Sequence, residues 1–330
     1  MRNFFSKISI GFMSACLLVS IAQCAAAQDV YTLSDGRNVQ TLEMFQECSN
    51  CPEMIVLPLG EFRMGGPVGE ARYVWVSPEG AEILGVPAPA EFNSDERPLF
   101  QVTVDMPIAM GRNEVTRREW MACVDAGGCN GFVPPNHVQH ISAELERTDF
   151  YLSDDHPVLS ISYLNAVAYT EWLNEQVGAD VYRIPTEAEW EFAARSGTQT
   201  RFAQGDDLTT DQANFNGEGS EQILGIREPR LISRRVPVTV DSLSAANAWG
   251  LRHMSGNATE ITASCYTERY LGWLTTSEWF EKSVVNGCRR ATRGGAYIAS
   301  MRAARVALRG SAEENNRSTF GGFRVARDLE

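Results

Sequence analysis

Six cysteines in three close pairs, behind a stretch built like a secretory leader, constrain this chain more than any other feature. Arg2 and Lys7 precede an apolar run from Ile8 to Ala22, and Ala25-Ala26-Ala27 offers small residues for cleavage. Residues 1–27 therefore read as a signal peptide cut after Ala27. The run is about 15 residues, short of the roughly 20 that cross a hydrocarbon core, and no basic stop-transfer flank follows. No transmembrane anchor is expected. Nor is a lipid anchor, because Gln23 before Cys24 is a poor fit to a lipidation box. An exported location, periplasmic or secreted, makes disulfides the default for the remaining cysteines. Proximity pairs Cys48 with Cys51, Cys123 with Cys129 and Cys265 with Cys288. Cys48-Ser49-Asn50-Cys51 has a second reading as a redox or zinc-binding C-x-x-C, although no second ligand pair accompanies it.

The 330 residues carry 29 basic and 42 acidic side chains, for a net charge of −13; losing Arg2 and Lys7 leaves −15. Such a surface excludes nucleic acid as a partner and keeps an extracytoplasmic protein dispersed, with cation binding as the sharper reading. No Pro/Ser/Gly-rich linker divides the chain and no internal repeat is visible, so a lead segment at 28–47 and one domain over 48–330 are expected. The stretch from Gly66 to Pro98, with Gly, Pro and acidic residues interspersed, reads as an insertion loop.

Met54 to Pro58, Glu61 to Met64 and Phe100 to Asp105 read as strands. Helices are announced by capping boxes, in which a hydroxyl and a Glu three residues on satisfy each other's free amides: Thr116 with Glu119, and Thr186 with Glu189. The first helix ends at Gly127-Gly128 and the last near Gly197. Between them, Ala166, Tyr169, Leu173 and Val177 form one face of a helix from Ser162 that Gly178 stops. After Thr198 the chain is rich in Gly, Asn, Asp and Thr, and long elements are not expected.

Two constellations invite chemical readings. His137 and His140, with Glu144 and Glu146 following, form a 2-His-1-carboxylate iron site only on a helix; Pro134-Pro135 makes a turn with solvated histidines equally open. Arg293, Arg302, Arg305, Arg309, Arg317 and Arg324 either bind an anionic ligand or brace loops through carbonyls and carboxylates, and a loop-heavy domain favours bracing. No phosphate loop or nucleophile elbow appears.

From Cys51 to Asp328, ordered motifs recur. They include Gly60-Glu61-Phe62-Arg63-Met64-Gly65, Asn113-Glu114-Val115-Thr116 and the long run Arg183-Ile184-Pro185-Thr186-Glu187-Ala188-Glu189-Trp190-Glu191-Phe192-Ala193-Ala194-Arg195. Arg293-Gly294-Gly295-Ala296-Tyr297 and Gly321-Gly322-Phe323-Arg324 close the set. In these the chain resembles the formylglycine-generating enzyme (sulfatase-modifying factor) family. The resemblance implies an α+β, loop-rich, disulfide-bridged domain related to C-type lectins.

In the family's oxidases, a serine and two copper-binding cysteines stand where this chain has Ala296, Ala299 and Ala304, and no cysteine follows Cys288. Copper-dependent formylglycine formation is therefore not expected, since alanine supplies neither thiolate nor proton-transfer group. The resemblance implies calcium through Glu260 and the carbonyls of Gly256 and Ala258, with His253 an ill-suited fourth member. Asn214-Phe215 matches the start of a second calcium site, completed by Glu218 or Glu221. The aromatic pair that flanks the glutamate in the family, and contacts substrate there, is Thr259 and Ile261 here. Relatives that use iron carry an additional helical domain that this chain lacks. Two function classes follow: a variant oxidase acting on a peptide or small molecule, or a non-catalytic module that binds a protein or glycan.

Overall fold

Hydroxyl caps place the main helices. In α1 (Arg117–Asp125) the Thr116 side chain accepts from the Glu119 amide while the Glu119 carboxylate returns to the cap. In α2 (Tyr163–Val177) Ser162 and Asn165 do the same, and Gly178 ends the helix with a left-handed φ of 70°. Thr186 and Glu189 cap α3 (Glu187–Arg195). Ala166, Tyr169 and Leu173 are all buried, on the face that their spacing predicts. Two short helices, α4 (Gly217–Leu224) and α5 (Glu278–Ser283), form in the half where long elements are not expected.

The computed structural model describes residues 29–67, 70, 94–142, 144–224, 231–270 and 275–330, without the side chains of residues 221–224, 278 and 281. The leader and most of the 66–98 insertion loop lie outside these residues. The strands are β1 (Val30–Thr32), β2 (Asn38–Gln40), β3 (Met44–Phe45), β4 (Met54–Val56), β5 (Gly60–Met64), β6 (Phe100–Val104), β7 (Ile108–Gly111), β8 (His137–Ile141), β9 (Arg147–Tyr151), β10 (Tyr182–Arg183), β11 (Thr259–Cys265), β12 (Arg290–Arg293), β13 (Gly310–Ala312), β14 (Gly321–Gly322) and β15 (Ala326–Asp328). A five-stranded antiparallel sheet in the order β10-β15-β7-β4-β3 brings the two ends of the domain together. A four-stranded sheet, β13-β12-β11-β14, is antiparallel except where β14 joins β11. The pairs β1–β2, β5–β6 and β8–β9 are hairpins or ribbons of two strands.

Trp120, Tyr169 and Phe323 centre one apolar cluster beneath α1 and α2; Trp190, Met254 and Val306 belong to a second around α3. The lead segment is not separate. Tyr31, Val39 and Phe45 pack into the first cluster, and the Thr32 amide donates to the Glu330 carbonyl at 3.1 Å, so the domain begins before Cys48. All three expected disulfides are present: Cys48–Cys51, Cys123–Cys129 and Cys265–Cys288. Among the described residues no helix is long and apolar enough to cross a membrane.

Every residue of α3 is buried, including Glu187, Glu189, Glu191 and Arg195. Buried carboxylates persist only when paired, and the arginine-rich C-terminal region supplies the partners. Arg309 grips Glu187 through two bonds of 2.6 and 2.8 Å, and Arg293 and Arg195 share Glu191. Arg305 holds Glu96 and Glu70, while Arg317 donates to Asn165. Arg302 is half-buried at the surface. Bracing, the reading that loops favour, is what Arg293, Arg305, Arg309 and Arg317 do.

Candidate functional site

Period-two alternation along β11 sends neighbouring side chains to opposite faces. Glu260 lies opposite Arg293 on the face toward α3, whereas Ile261 lies opposite Thr292 on the outer face. Two environments result: one is sealed around the Glu260 carboxylate, and the other opens at Thr259, Ile261 and Thr292, with the Arg290–Glu314 pair two residues from Thr292 along β12.

On the sealed face, both Glu260 oxygens are taken. Arg324 donates Nη2 to Oε1 and Nε to Oε2, each at 2.6 Å, and Trp190 Nε1 donates to Oε2 at 2.6 Å. Arg324 spends its remaining donors on the carbonyls of Gly111 and Arg252. A hard cation at Glu260 would have to displace a buried guanidinium fork, so the donor set at this carboxylate does not fit calcium. His253 is buried, with Nε2 on the Val240 carbonyl at 3.1 Å and Nδ1 without a partner. Burial and the nearby Arg252 and Arg324 charges lower its pKa to about 3, so it stays neutral.

Beside this pair sits Glu114, which the sequence quotes in a motif without hinting at a role. Its carboxyl accepts from Asn257 Nδ2 at 3.1 Å and from the Ala258 amide at 3.0 Å. Burial and the neighbouring Glu260 charge raise its pKa to about 8, leaving it protonated at neutral pH. Gly256 must be glycine here, because φ is +88° and a Cβ would lie 2.5 Å from the Asn214 carbonyl oxygen. Asn214 donates to Asn257 Oδ1 and to the Val236 carbonyl, but its own Oδ1 has no partner. Phe215 is buried in an apolar cluster. Glu218 is drawn away by Arg235, and the side chain of Glu221 lies outside the described part. Asn214 is thus near the Gly256–Ala258 turn, without a carboxylate beside it among the described side chains that would complete a hard-ion site.

The copper positions are filled rather than open. Ala296 and Ala304 are buried, the latter packing with Phe202, Phe215 and Met301. Ala299 is half-buried, and its carbonyl accepts from the Asn216 amide. All six described cysteines are in disulfides. Nothing at these positions can ligate copper.

His137 and His140 fall on strand β8, where i and i+3 face opposite sides, so the strand separates the two rings that a helix would align. His137 rests against Tyr151, and His140 lies 3.5 Å from the Thr148 hydroxyl. Glu144 and Glu146 sit at the hairpin turn on Ser142. His156 Nδ1 is engaged by Ser153. Among the described residues, no three His, Cys, Asp or Glu side chains gather as metal ligands.

Two cavities are lined by described residues. One of about 290 Å³ opens near the Cys48–Cys51 loop, lined by Glu53, Arg112, Asn113, Glu114, Arg118 and Asp241 among others. Arg112 pairs with Glu53 and Asp241, and Arg118 with Asp155, so its charges are largely spent on one another. The other, of about 240 Å³, lies on the outer face of the four-stranded sheet. Thr259 and Ile261 form part of its wall, and no lining residue is charged. Composition gave no hint of it; the alternation around Glu260 places both side chains on this face, and the family resemblance had already singled out the same two positions.

The family model for the sulfatase-modifying factor enzyme 1-like domain matches residues 40–329. A formylglycine-generating enzyme of Streptomyces coelicolor is 30% identical over 194 residues, 57% of either chain. A hercynine oxygenase of Mycolicibacterium smegmatis is 28% identical over 300 residues, 80% of this chain and 63% of that protein. The chain thus spans about three-fifths of the length of these curated relatives. The solved structure of PvdO from Pseudomonas aeruginosa aligns with a TM-score of 0.66 and 25% identity, over 88% of this chain and 100% of that one.

Proposed function

Because the chain belongs to the sulfatase-modifying factor enzyme 1-like family, we propose that it is a variant oxidase that acts on a peptide or small molecule without a copper–thiolate centre. The observation that carries this reading is the uncharged cavity at Thr259 and Ile261, on the sheet that also holds Glu260. This chain has a ligand-sized opening there, while Ala296 is buried and Ala304 is packed among apolar neighbours. Relatives named as oxygenase and as formylglycine-generating enzyme support oxidative chemistry. The chain's own part in it is to bind and orient a neutral group and to keep charged groups out. The leader and the three disulfides support an exported location, periplasmic or secreted.

The absence of three clustered ligating side chains among the described residues favours a second reading, a binding module. Oxygen uptake and product mass, measured on the mature protein with panels of peptides and neutral small molecules, separate the two. The oxidase reading expects a substrate mass change coupled to oxygen consumption, and no formylglycine from a cysteinyl peptide. Stoichiometric capture with neither mass change nor oxygen uptake would replace it with the module.

A further inference from the structure

Thr292 is only 8% exposed, yet its hydroxyl has no hydrogen-bond partner among the described residues. The reason lies in the register. Thr292 stands directly opposite Gly310, and a Cβ at 310 would lie 2.6 Å from Thr292 Oγ1. The missing side chain leaves the hydroxyl uncovered on the wall of the 240 Å³ cavity. The hydroxyl is open to solvent in the cavity, so a ligand that bonds to it replaces a water partner and gains orientation from the wall.

Ile161, Ile261 and Phe320 contribute apolar surface to this cavity, while Ser311, Asn316 and Ser318 add neutral polar groups. No lining residue is charged, in a chain whose residues are 22% Asp, Glu, Lys or Arg. An ionised ligand would be desolvated there without compensation. The volume equals that of roughly eight liquid waters, enough for one substituted six-membered ring and too small for a nucleotide or a flavin.

We propose that this cavity binds an uncharged aromatic ring bearing a hydroxyl, a phenol, with Thr292 as its hydrogen-bond partner. The inference names the substrate class for the cavity that carries the oxidase reading, and it rests on that reading only for turnover. Ile261 and Phe320 provide the apolar contact for the ring. Thr259 stands at the half-exposed lip, where a larger side chain would close the entrance.

The test is ligand-observed NMR on the mature protein, using p-cresol, toluene and 4-hydroxybenzoate as probes. Wild type should bind p-cresol saturably, toluene about threefold to tenfold more weakly for want of the hydrogen bond, and 4-hydroxybenzoate more weakly still. Thr292→Val should remove the preference for p-cresol over toluene, and both Ile261→Trp and Thr259→Trp should abolish binding. The lip variant leaves the interior untouched, so its effect cannot be assigned to misfolding. No saturable p-cresol binding up to its solubility limit, or binding that survives Thr259→Trp, overturns the proposal. If p-cresol fails to bind while the protein still oxidises another substrate, the phenol falls and the oxidase stands. Binding of p-cresol without turnover of any substrate leaves the phenol and removes the oxidase.

Discussion

Replacing Glu260 with glutamine separates an ionic role from a calcium role. Glutamine keeps the shape, but its amide turns one acceptor into a donor facing Arg324 or Trp190, both of which donate to the carboxylate at 2.6 Å. Arg324 would then keep its buried charge but lose the carboxylate it grips, while loss of the Glu260 charge would ease ionisation of Glu114 beside it. Removing one partner of a buried pair costs about 3–5 kcal/mol. At roughly 2 °C per kcal/mol for a chain of this size, Tm should fall by about 6–10 °C. Calorimetry or thermal circular dichroism in the presence of excess calcium, and again with a calcium chelator, gives the reading. The fall should be the same in both conditions. A loss seen only with calcium, or a wild type whose Tm rises with calcium while Glu260→Gln does not respond, would refute the ion-pair reasoning and return Glu260 to a metal.

Glu114 predicts a pH dependence. Its folded pKa of about 8 exceeds the unfolded value of 4.5, so the native state binds the extra proton and this group's contribution falls as pH rises from 4.5 to 8. His253, lowered from 6.5 to about 3, acts in the opposite sense below pH 6.5. Between pH 6.5 and 8 the Glu114 slope therefore stands without opposition from His253, and Glu114→Gln should flatten urea-derived stability across that window; an unchanged slope would dismiss it. The Cys123–Cys129 bridge closes a loop of sequence separation 6, so the double variant Cys123→Ser/Cys129→Ser, which opens it, should lose about 2 kcal/mol by denaturant titration, from chain entropy. Recovery of both cysteines alkylated without prior reduction would contradict the bridge itself. Wild-type protein incubated with copper(I) and desalted should retain no stoichiometric metal by elemental analysis, because Ala296, Ala299 and Ala304 provide no ligand; retention would locate a copper site elsewhere.

Local signals were legible in the sequence because they act locally. The boxes at Thr116 and Thr186, and the Ser162 start with its Gly178 stop, marked α1, α2 and α3 to within a residue or two, and proximity paired all three disulfides. β7 was not visible, although it lies at the centre of the five-stranded sheet, because Ile108–Gly111 is a short apolar run buried on both faces and lacks alternation. α4 carries Gly217 and Gly219, which argue against a helix locally; tertiary contacts override them. The His137/His140 reading failed to distinguish helix from strand, and that distinction alone decides whether the two rings meet. Glu260 could be read as a metal ligand only while Arg324, 64 residues away, was unplaced.

The same long-range pairing explains how the scaffold tolerates an altered site. The carboxylates of α3 and Glu260 are held by Arg293, Arg309 and Arg324, which fix the inner face of the four-stranded sheet from inside. None of those bonds uses the outer face. Thr259, Ile261 and Thr292 alternate with the ionic residues along β11 and β12, so their side chains can change without breaking a buried pair. Ala296, Ala299 and Ala304 lie beyond β12, at the positions that a serine and two cysteines take in the family's oxidases, and Ala304 packs among apolar residues. The cavity wall at Thr259, Ile261 and Thr292 is therefore separate from the pairs made by Arg293, Arg309 and Arg324, although the Arg290–Glu314 pair shares the face of Thr292. It follows that Thr259→Trp should close the cavity while shifting Tm far less than Glu260→Gln, and comparable losses from both would show that the two faces are not independent.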